Sequence, residues 1–321
     1  MTDGPRIVFF GTPDFAVPSL QKLAALGGLK PIAVVTQPAQ PVGRKAILTA
    51  SPVQRAAEQL SIPLRAPRSI KNSDFLEWFI EQKPDIAVLV AYGKILPKEV
   101  LAVPRLGFVN VHPSLLPQHR GASPVAGALL AGDARTGITI MQLDDEMDHG
   151  PIFAAREVAI KSGATQGPLS RELALGGAAL LADTLPQILS ETLTPVEQNH
   201  AAATYTKLLK RSDGNINWCQ PAQTIERLVR AYTPWPGSYT CLNQARIKIY
   251  QVALARSQTG LAPGQLRATG GKLYVGTSSD ALEIKYLQMA GKKKQAAAEF
   301  INGHTNLASA KVCPCPPPTI T

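Results

Sequence analysis

Residues 107–152, GFVNVHPSLLPQHRGASPVAGALLAGDARTGITIMQLDDEMDHGPI, constrain this chain more than any other stretch. The segment opens as a short buried strand, Gly107-Phe108-Val109-Asn110-Val111-His112, and Pro113 ends the pairing because it has no N–H to donate. Side chains alternate across a strand, so Val109 and Val111 share one face while Asn110 and His112 share the other. Two polar groups therefore stand together at a strand's carboxyl end, where open α/β sheets bind ligands. Other runs read as strands: Arg6-Ile-Val-Phe-Phe10 first, then residues 31–36 with Ile-Ala-Val-Val buried on both faces by composition, and Asp85-Ile-Ala-Val-Leu-Val90 as the next buried strand. Helical spacing follows the first and precedes the third, which predicts a Rossmann-like α/β fold with an open, mostly parallel sheet.

After the strand, Ser114, Leu115, Leu116 and Pro117 are too short and too proline-bounded for a helix and read as a loop. Ser123-Pro124, an apolar run and Gly132 read as a capped helix. Residues 139–143 read as a further strand, running into the acidic loop 144–151. Of its four carboxylates, Asp148 is held between Met147 and the turn His149-Gly150-Pro151, and is expected to face the pocket. An Asn amide and an imidazole N–H suit the oxyanion of acyl transfer to an amine. A nearby carboxylate orients the imidazole or relays its proton. On spacing alone, His112 reads equally well as a satisfied core histidine and Asn110 as a turn residue.

The motifs Asn110-Val-His112-Pro-Ser114-Leu-Leu-Pro117, Arg120-Gly-Ala-Ser-Pro124, Thr136-Gly-Ile-Thr-Ile-Met141 and Asp148-His-Gly-Pro-Ile152 resemble the signature of the folate-dependent formyltransferases. The resemblance implies an Asn-His-Asp catalytic trio at Asn110, His112 and Asp148. It implies a tetrahydrofolate-contacting loop at Ser114, Leu115, Leu116 and Pro117, with the backbone around Tyr92 lining the pterin pocket. Tyr92 itself reads as readily as a packed tyrosine at a strand end.

The opening Gly11-Thr-Pro-Asp-Phe15 stands after the first strand with a lone glycine rather than G-x-G-x-x-G, which argues against a dinucleotide. It resembles the start of methionyl-tRNA formyltransferases in particular. Residues 37–50, QPAQPVGRKAILTA, read as a long loop before Ser51-Pro52-Val53, the N-cap and first positions of the next helix. In those relatives a loop here enters the tRNA acceptor stem, which implies tRNA contacts at Arg44 and Lys45. Phe75, Trp78 and Phe79 fall at helical spacing and read as core.

Charge divides the chain. Residues 1–189 carry 18 Lys and Arg against 16 Asp and Glu, a balance of +2, whereas residues 190–321 carry 15 against 7, a balance of +8. A basic second part suits a polyanion, with Lys292, Lys293 and Lys294 as candidate tRNA contacts. Residues 163–188 read as helical, and 190–206 lose periodicity and read as a linker. One helix over 222–230 precedes short alternating segments with glycines between them, which predict a small β-barrel. An OB-like barrel fits the resemblance, and such barrels often bind nucleic acid.

The expected organisation is a catalytic domain at 1–189, the linker, an OB-like tRNA-binding domain at 207–308 and a disordered tail at 309–321. No run approaches the ~20 apolar residues of a membrane helix and no cleavable signal is read, so the expected compartment is the cytoplasm. The four cysteines, Cys219, Cys241, Cys313 and Cys315, lack metal-ligand spacing and read as free thiols. The expected partners are 10-formyltetrahydrofolate as formyl donor and initiator methionyl-tRNA as acceptor, with no metal and a monomeric chain. Rival readings are a formyltransferase for another amine such as a sugar nucleotide, a hydrolase of the same folate, or an RNA-binding protein with a decayed catalytic domain. The complete trio, the basic β domain and Gly43-Arg44-Lys45 argue against them.

Overall fold

Short apolar runs bounded by glycine and proline become the central strands of a computed structural model that describes residues 4–43, 45–242, 245–255, 257–258, 260–304 and 312. In chain order the first elements are β1 (Ile7–Gly11), α1 (Val17–Ala25), β2 (Ala33–Val35), β3 (Gln40–Val42), β4 (Ile47–Thr49), α2 (Pro52–Gln59), β5 (Leu64–Arg65), α3 (Ser73–Glu81), β6 (Ile86–Val90) and α4 (Lys98–Leu101). There follow β7 (Phe108–His112), β8 (Arg120–Gly121), α5 (Pro124–Ala131), β9 (Arg135–Gln142), β10 (Ile152–Ala159), α6 (Gln166–Leu189) and β11 (Tyr205–Thr206).

The main sheet has the order β10-β9-β7-β6-β1-β2-β5. β7, β6, β1, β2 and β5 run parallel, and β9 and β10 add an antiparallel edge. β7 is thus interior, and all five of its residues are buried. Phe10, Phe75, Phe79, Tyr92 and Phe108 pack beneath it with ring centroids 5.2 to 6.4 Å apart. Such pairs add ~0.5–1.5 kcal/mol each beyond their burial. This aromatic floor fixes the sheet from which the polar end of β7 emerges.

Residues 37–50 are not structureless: β3 and β4 form an antiparallel hairpin. Its base is tied by Thr36 Oγ1 and Ser51 Oγ at 2.7 Å, and Ser51 also accepts from Gln54 N as the expected N-cap of α2. Ile47 and Leu48 on β4 are exposed. Arg44 lies outside the described residues, and Lys45 is exposed.

The basic part forms α7 (Ala222–Ala231), β12 (Ser238–Leu242), β13 (Ala245–Ala255), β14 (Leu266–Thr269), β15 (Lys272–Gly276), β16 (Ala281–Met289), β17 (Gln295–Ala296) and α8 (Ala297–Asn302). Its sheet is antiparallel, in the order β12-β13-β16-β15-β14, with β17 on β16. Trp218, Ile225, Val229, Ile249, Leu282 and Phe300 fill its core. Val312 bridges Leu242 on β12 and donates its N–H to Gly264 O ahead of β14, so one residue touches both ends of the strand order. The other residues of the 309–321 tail, Cys313 and Cys315 among them, lie outside the described residues. Cys219 is disulfide-bonded, which corrects the reading of free thiols; pairing follows spatial proximity, and sequence spacing alone does not reveal it.

By contacts the chain forms two units, one of residues 1–124, 135–159 and 170–206, the other of residues 125–134, 160–169 and 207–321. Among the described residues, no helix is long and apolar enough to cross a membrane.

Candidate functional site

Asn110 and His112 reach the same face of β7 because they stand two residues apart, and β7 ends at His112, just before Pro113. The acidic loop after β9 brings Asp148 to them. Asn110 Nδ2 donates to Asp148 Oδ1 across a long 3.4 Å, and His112 Nδ1 lies 3.5 Å from the same oxygen. The structure thus brings all three expected residues together. The His112 side chain is 5% exposed and that of Asp148 14%, so the cluster is screened from solvent without being sealed.

Partners decide the protonation of the imidazole. His112 Nε2 faces the His119 carbonyl at 3.1 Å, and a carbonyl only accepts, so Nε2 carries the hydrogen. Burial pushes the His112 pKa below its ordinary 6.5, outweighing the opposing pull of Asp148 and of the His119 carbonyl. The neutral ring then presents its Nδ1 lone pair towards a carboxylate oxygen. Two acceptors facing each other are poised to take up a proton.

Asp148 has φ 48°, a left-handed backbone that side chains other than glycine seldom adopt. Gly121 N donates to its Oδ2 at 2.7 Å, and Gln198 Nε2 donates to its carbonyl at 2.9 Å and to Gly150 O at 2.7 Å. Gly121 has φ 103° and lies so close to the Thr206 carbonyl that any Cβ there would collide with it. Arg120, 1% exposed, is held by Gln198 Oε1 at 2.7 and 3.2 Å and by His200 Nδ1 at 2.9 Å. His200 stacks on His149 at 4.0 Å, and His149 Nδ1 meets Asp144 Oδ2 at 2.7 Å.

The loop 114–117 follows directly. Ser114 is fully buried and donates through Oγ to Gln118 O at 2.5 Å, while its carbonyl accepts from Thr139 Oγ1 at 2.7 Å. Leu116 N also binds Thr139 Oγ1. Leu115 lies over Gly137 of β9, where a Cβ would displace it. Tyr92 is placed differently. Its ring is 0% exposed in the aromatic floor, its hydroxyl has no partner among the described residues, and burial pushes its pKa up to about 12. Its carbonyl accepts from Thr12 Oγ1 at 2.9 Å and Gln37 Nε2 at 2.8 Å.

Lys292, Lys293 and Lys294 are exposed on the second unit, and none of them forms an ion pair among the described residues. Lys294 Nζ sits 4.9 Å from the Tyr250 ring centre and 5.0 Å from that of Tyr286. Arg246 lies 3.5 Å over Tyr239. No group of His, Cys, Asp and Glu able to hold a metal occurs among the described residues.

Sequence reading missed the roles of His119, Arg120, Gln198, His200 and Thr204. Arg120 carried a usable signal, because an arginine amid a buried motif needs partners for its charge. Gln198 and Thr204 carried none, since they lie in a polar stretch without periodicity.

The chain has relatives along nearly its whole length. The chain is 45% identical over 299 residues to a methionyl-tRNA formyltransferase of Roseiflexus castenholzii, covering 93% of this chain and 96% of that protein. It is 39% identical to one of Bacillus velezensis, covering 93% and 94%. Among solved structures, an N-formyltransferase from Helicobacter canadensis in complex with folinic acid and dTDP-3-aminofucose superposes with a TM-score of 0.65 at 18% identity, covering 89% of this chain and 99% of that one. HypX from Aquifex aeolicus in complex with tetrahydrofolic acid gives a TM-score of 0.60 at 17% identity; the match spans 92% of this chain but only 46% of HypX. At such identities the likeness shows the fold alone. Residues 5–185 match the family Formyl transferase and residues 208–305 the family Formyl transferase, C-terminal domain, and the chain belongs to the formyl transferase family.

Proposed function

We propose that this chain transfers the formyl group of 10-formyltetrahydrofolate to the α-amino group of initiator methionyl-tRNA. The observation that carries the reading is the convergence of Asn110, neutral His112 and Asp148 at the end of β7, in a chain whose relatives are methionyl-tRNA formyltransferases. An α-amino group titrates near ~7.7–8.0, so a weak base suffices to keep it neutral for attack. When the amine attacks the formyl carbon, the carbonyl oxygen gains charge and the nitrogen becomes acidic. Asn110 Nδ2 donates to that oxygen. Asp148 accepts the amine proton, directly or through His112 Nδ1, and whichever of the two groups then carries it returns it to the departing folate nitrogen. Tetrahydrofolate and formylated methionyl-tRNA leave with no net proton gained by the protein.

The folate donor is assigned to the loop 114–117, which lies beside the trio, and the tRNA to the basic second unit. The outer face of the second unit's sheet supports the latter, because Arg246 of β13 lies over Tyr239 of β12, Lys248 and Tyr250 follow on β13, and Lys294, just before β17, sits against the rings of Tyr250 and of Tyr286 on β16. Cations neutralise phosphates and tyrosine faces stack on bases. Incubating the chain with 10-formyltetrahydrofolate and charged initiator tRNA should give formylmethionine on the tRNA. Formyl transfer to a sugar nucleotide amine instead, or release of free formate, would replace this reading.

A further inference from the structure

We infer that residues 198–206 are a positioning strap that holds His112 and Asp148 in their reactive geometry, with Gln198 and Thr204 as its working side chains. This rests on the catalytic reading of the trio given above. The strap lies between the two stretches matched by the family, 5–185 and 208–305, so neither match accounts for it.

Gln198 is buried, and each end of its amide is used. Nε2 donates to the carbonyls of Asp148 and Gly150, clamping both sides of the left-handed turn that presents Asp148. Oε1 accepts two N–H groups of buried Arg120. Nothing else in the described hydrogen bonds reaches the Asp148 carbonyl.

Thr204 does the same for the imidazole. Its Oγ1 accepts from His119 N at 2.8 Å and donates to Gln118 Oε1 at 3.0 Å, and its carbonyl accepts from Arg120 N at 2.8 Å. The His119 carbonyl, which fixes the His112 tautomer, is thereby fixed in turn. Two residues on, β11 pairs in parallel with β8, and Thr206 Oγ1 donates to Arg120 O at 3.0 Å. That pairing aims Gly121 N at the Asp148 carboxylate. Apart from the Asn110 contact, which comes from β7, the Asp148 carbonyl, His119, Arg120 and Gly121 are therefore each held from behind by these nine residues. A misplacement near 1 Å can cost ~10²-fold in rate, which is the scale on which such a strap acts.

The test uses the full chain and initial rates at saturating and limiting substrate. Gln198→Glu keeps an acceptor for Arg120 but loses the donors to Asp148 O and Gly150 O. It should lower kcat ~10–10²-fold with KM for both substrates within about threefold. Thr204→Val should lower kcat similarly and move the acid limb of the kcat profile to lower pH, because the His119 carbonyl contact that raises the His112 pKa is loosened. Thr204→Ser, which keeps the hydroxyl, should restore both. Asp148→Ala is measured alongside, and with Asp148 absent Gln198→Glu should have little further effect. If Asp148→Ala is slow while Gln198→Glu and Thr204→Val keep wild-type kcat, the strap is overturned and the trio stands. Equal losses from Gln198→Glu with and without Asp148 overturn it too. Wild-type turnover by Asp148→Ala removes the trio and the strap together. Should Gln198→Glu fail to fold, the Thr204→Val and Thr204→Ser pair decides by the same criteria.

Discussion

His112 shows how one buried side chain ties stability to pH and, on the function proposed above, the rate as well. Its folded pKa lies below 6.5, so between that value and 6.5 the unfolded chain binds a proton that the native chain does not. Stability is therefore full above pH 6.5 and falls as pH drops through this window, and denaturant midpoints for the wild type and His112→Gln should converge there. Turnover should survive below pH 6.5 further than a free imidazole would allow, because the base stays unprotonated. Asn110→Ala, His112→Ala and Asp148→Ala should each lower kcat by ~10²-fold or more, read by formyl transfer at saturating substrate. Tyr92 makes the opposite case. Its hydroxyl is buried without a described partner, so Tyr92→Phe should leave KM for the folate unchanged and leave stability equal or higher by about 1 kcal/mol. A raised KM would place the Tyr92 hydroxyl itself at the folate, beyond the backbone contact that the family resemblance implies.

At the level of elements, what the sequence disclosed follows from how locally each signal is written. β1, β2 and β6 are continuous apolar runs with proline or glycine nearby, β7 alternates Val109 and Val111 with Asn110 and His112 before Pro113, and α2 announces itself through Ser51-Pro52. β10 was invisible because it is an edge strand whose residues, Ile-Phe-Ala-Ala-Arg-Glu-Val-Ala, are mostly half-exposed and do not alternate. β14 and β17 are too short to establish a period. β11 has only two residues and gains its meaning from β8, which lies 85 positions away. The trio was legible because Asn110 and His112 share a strand and Asp148 sits in a recognisable turn; its supports were not, because they arise from tertiary contacts. The folate loop yields a prediction at this scale. Gly137 lies beneath Leu115 and against Arg156 O on β10, so Gly137→Ala must move one of them. It should destabilise the fold by ~1–3 kcal/mol and raise KM for the folate more than it lowers kcat. An unchanged KM with lowered stability would show that the Leu115 contact serves the sheet alone.

For the molecule as a whole, the two contact units do not follow chain order. Residues 125–134 and 160–169 belong with the C-terminal unit although they lie inside the first family match, and 198–206 belong with the site although they lie outside it. A truncation after residue 189 or 197 would therefore remove the Asp148 clamp and leave α5 without its partners, so the division of labour is better probed by charge in the intact chain. Residues 190–321 carry the +8 balance. If phosphates bind there, each lost contact should reduce the slope of log affinity against log salt by ~0.9 for a duplex stem and ~0.7 for a single strand. Neutralising Lys292, Lys293 and Lys294 together should flatten the slope by about 2–3 and weaken tRNA binding chiefly at low salt. Because Lys294 is shared between two tyrosine rings, Lys294→Ala should cost more than Lys293→Ala, and Tyr286→Ala should weaken binding without changing the slope. Folate KM should stay constant throughout. Filter binding at two salt concentrations for these variants distinguishes the outcomes: a triple variant with the wild-type slope would place the tRNA elsewhere on the basic surface.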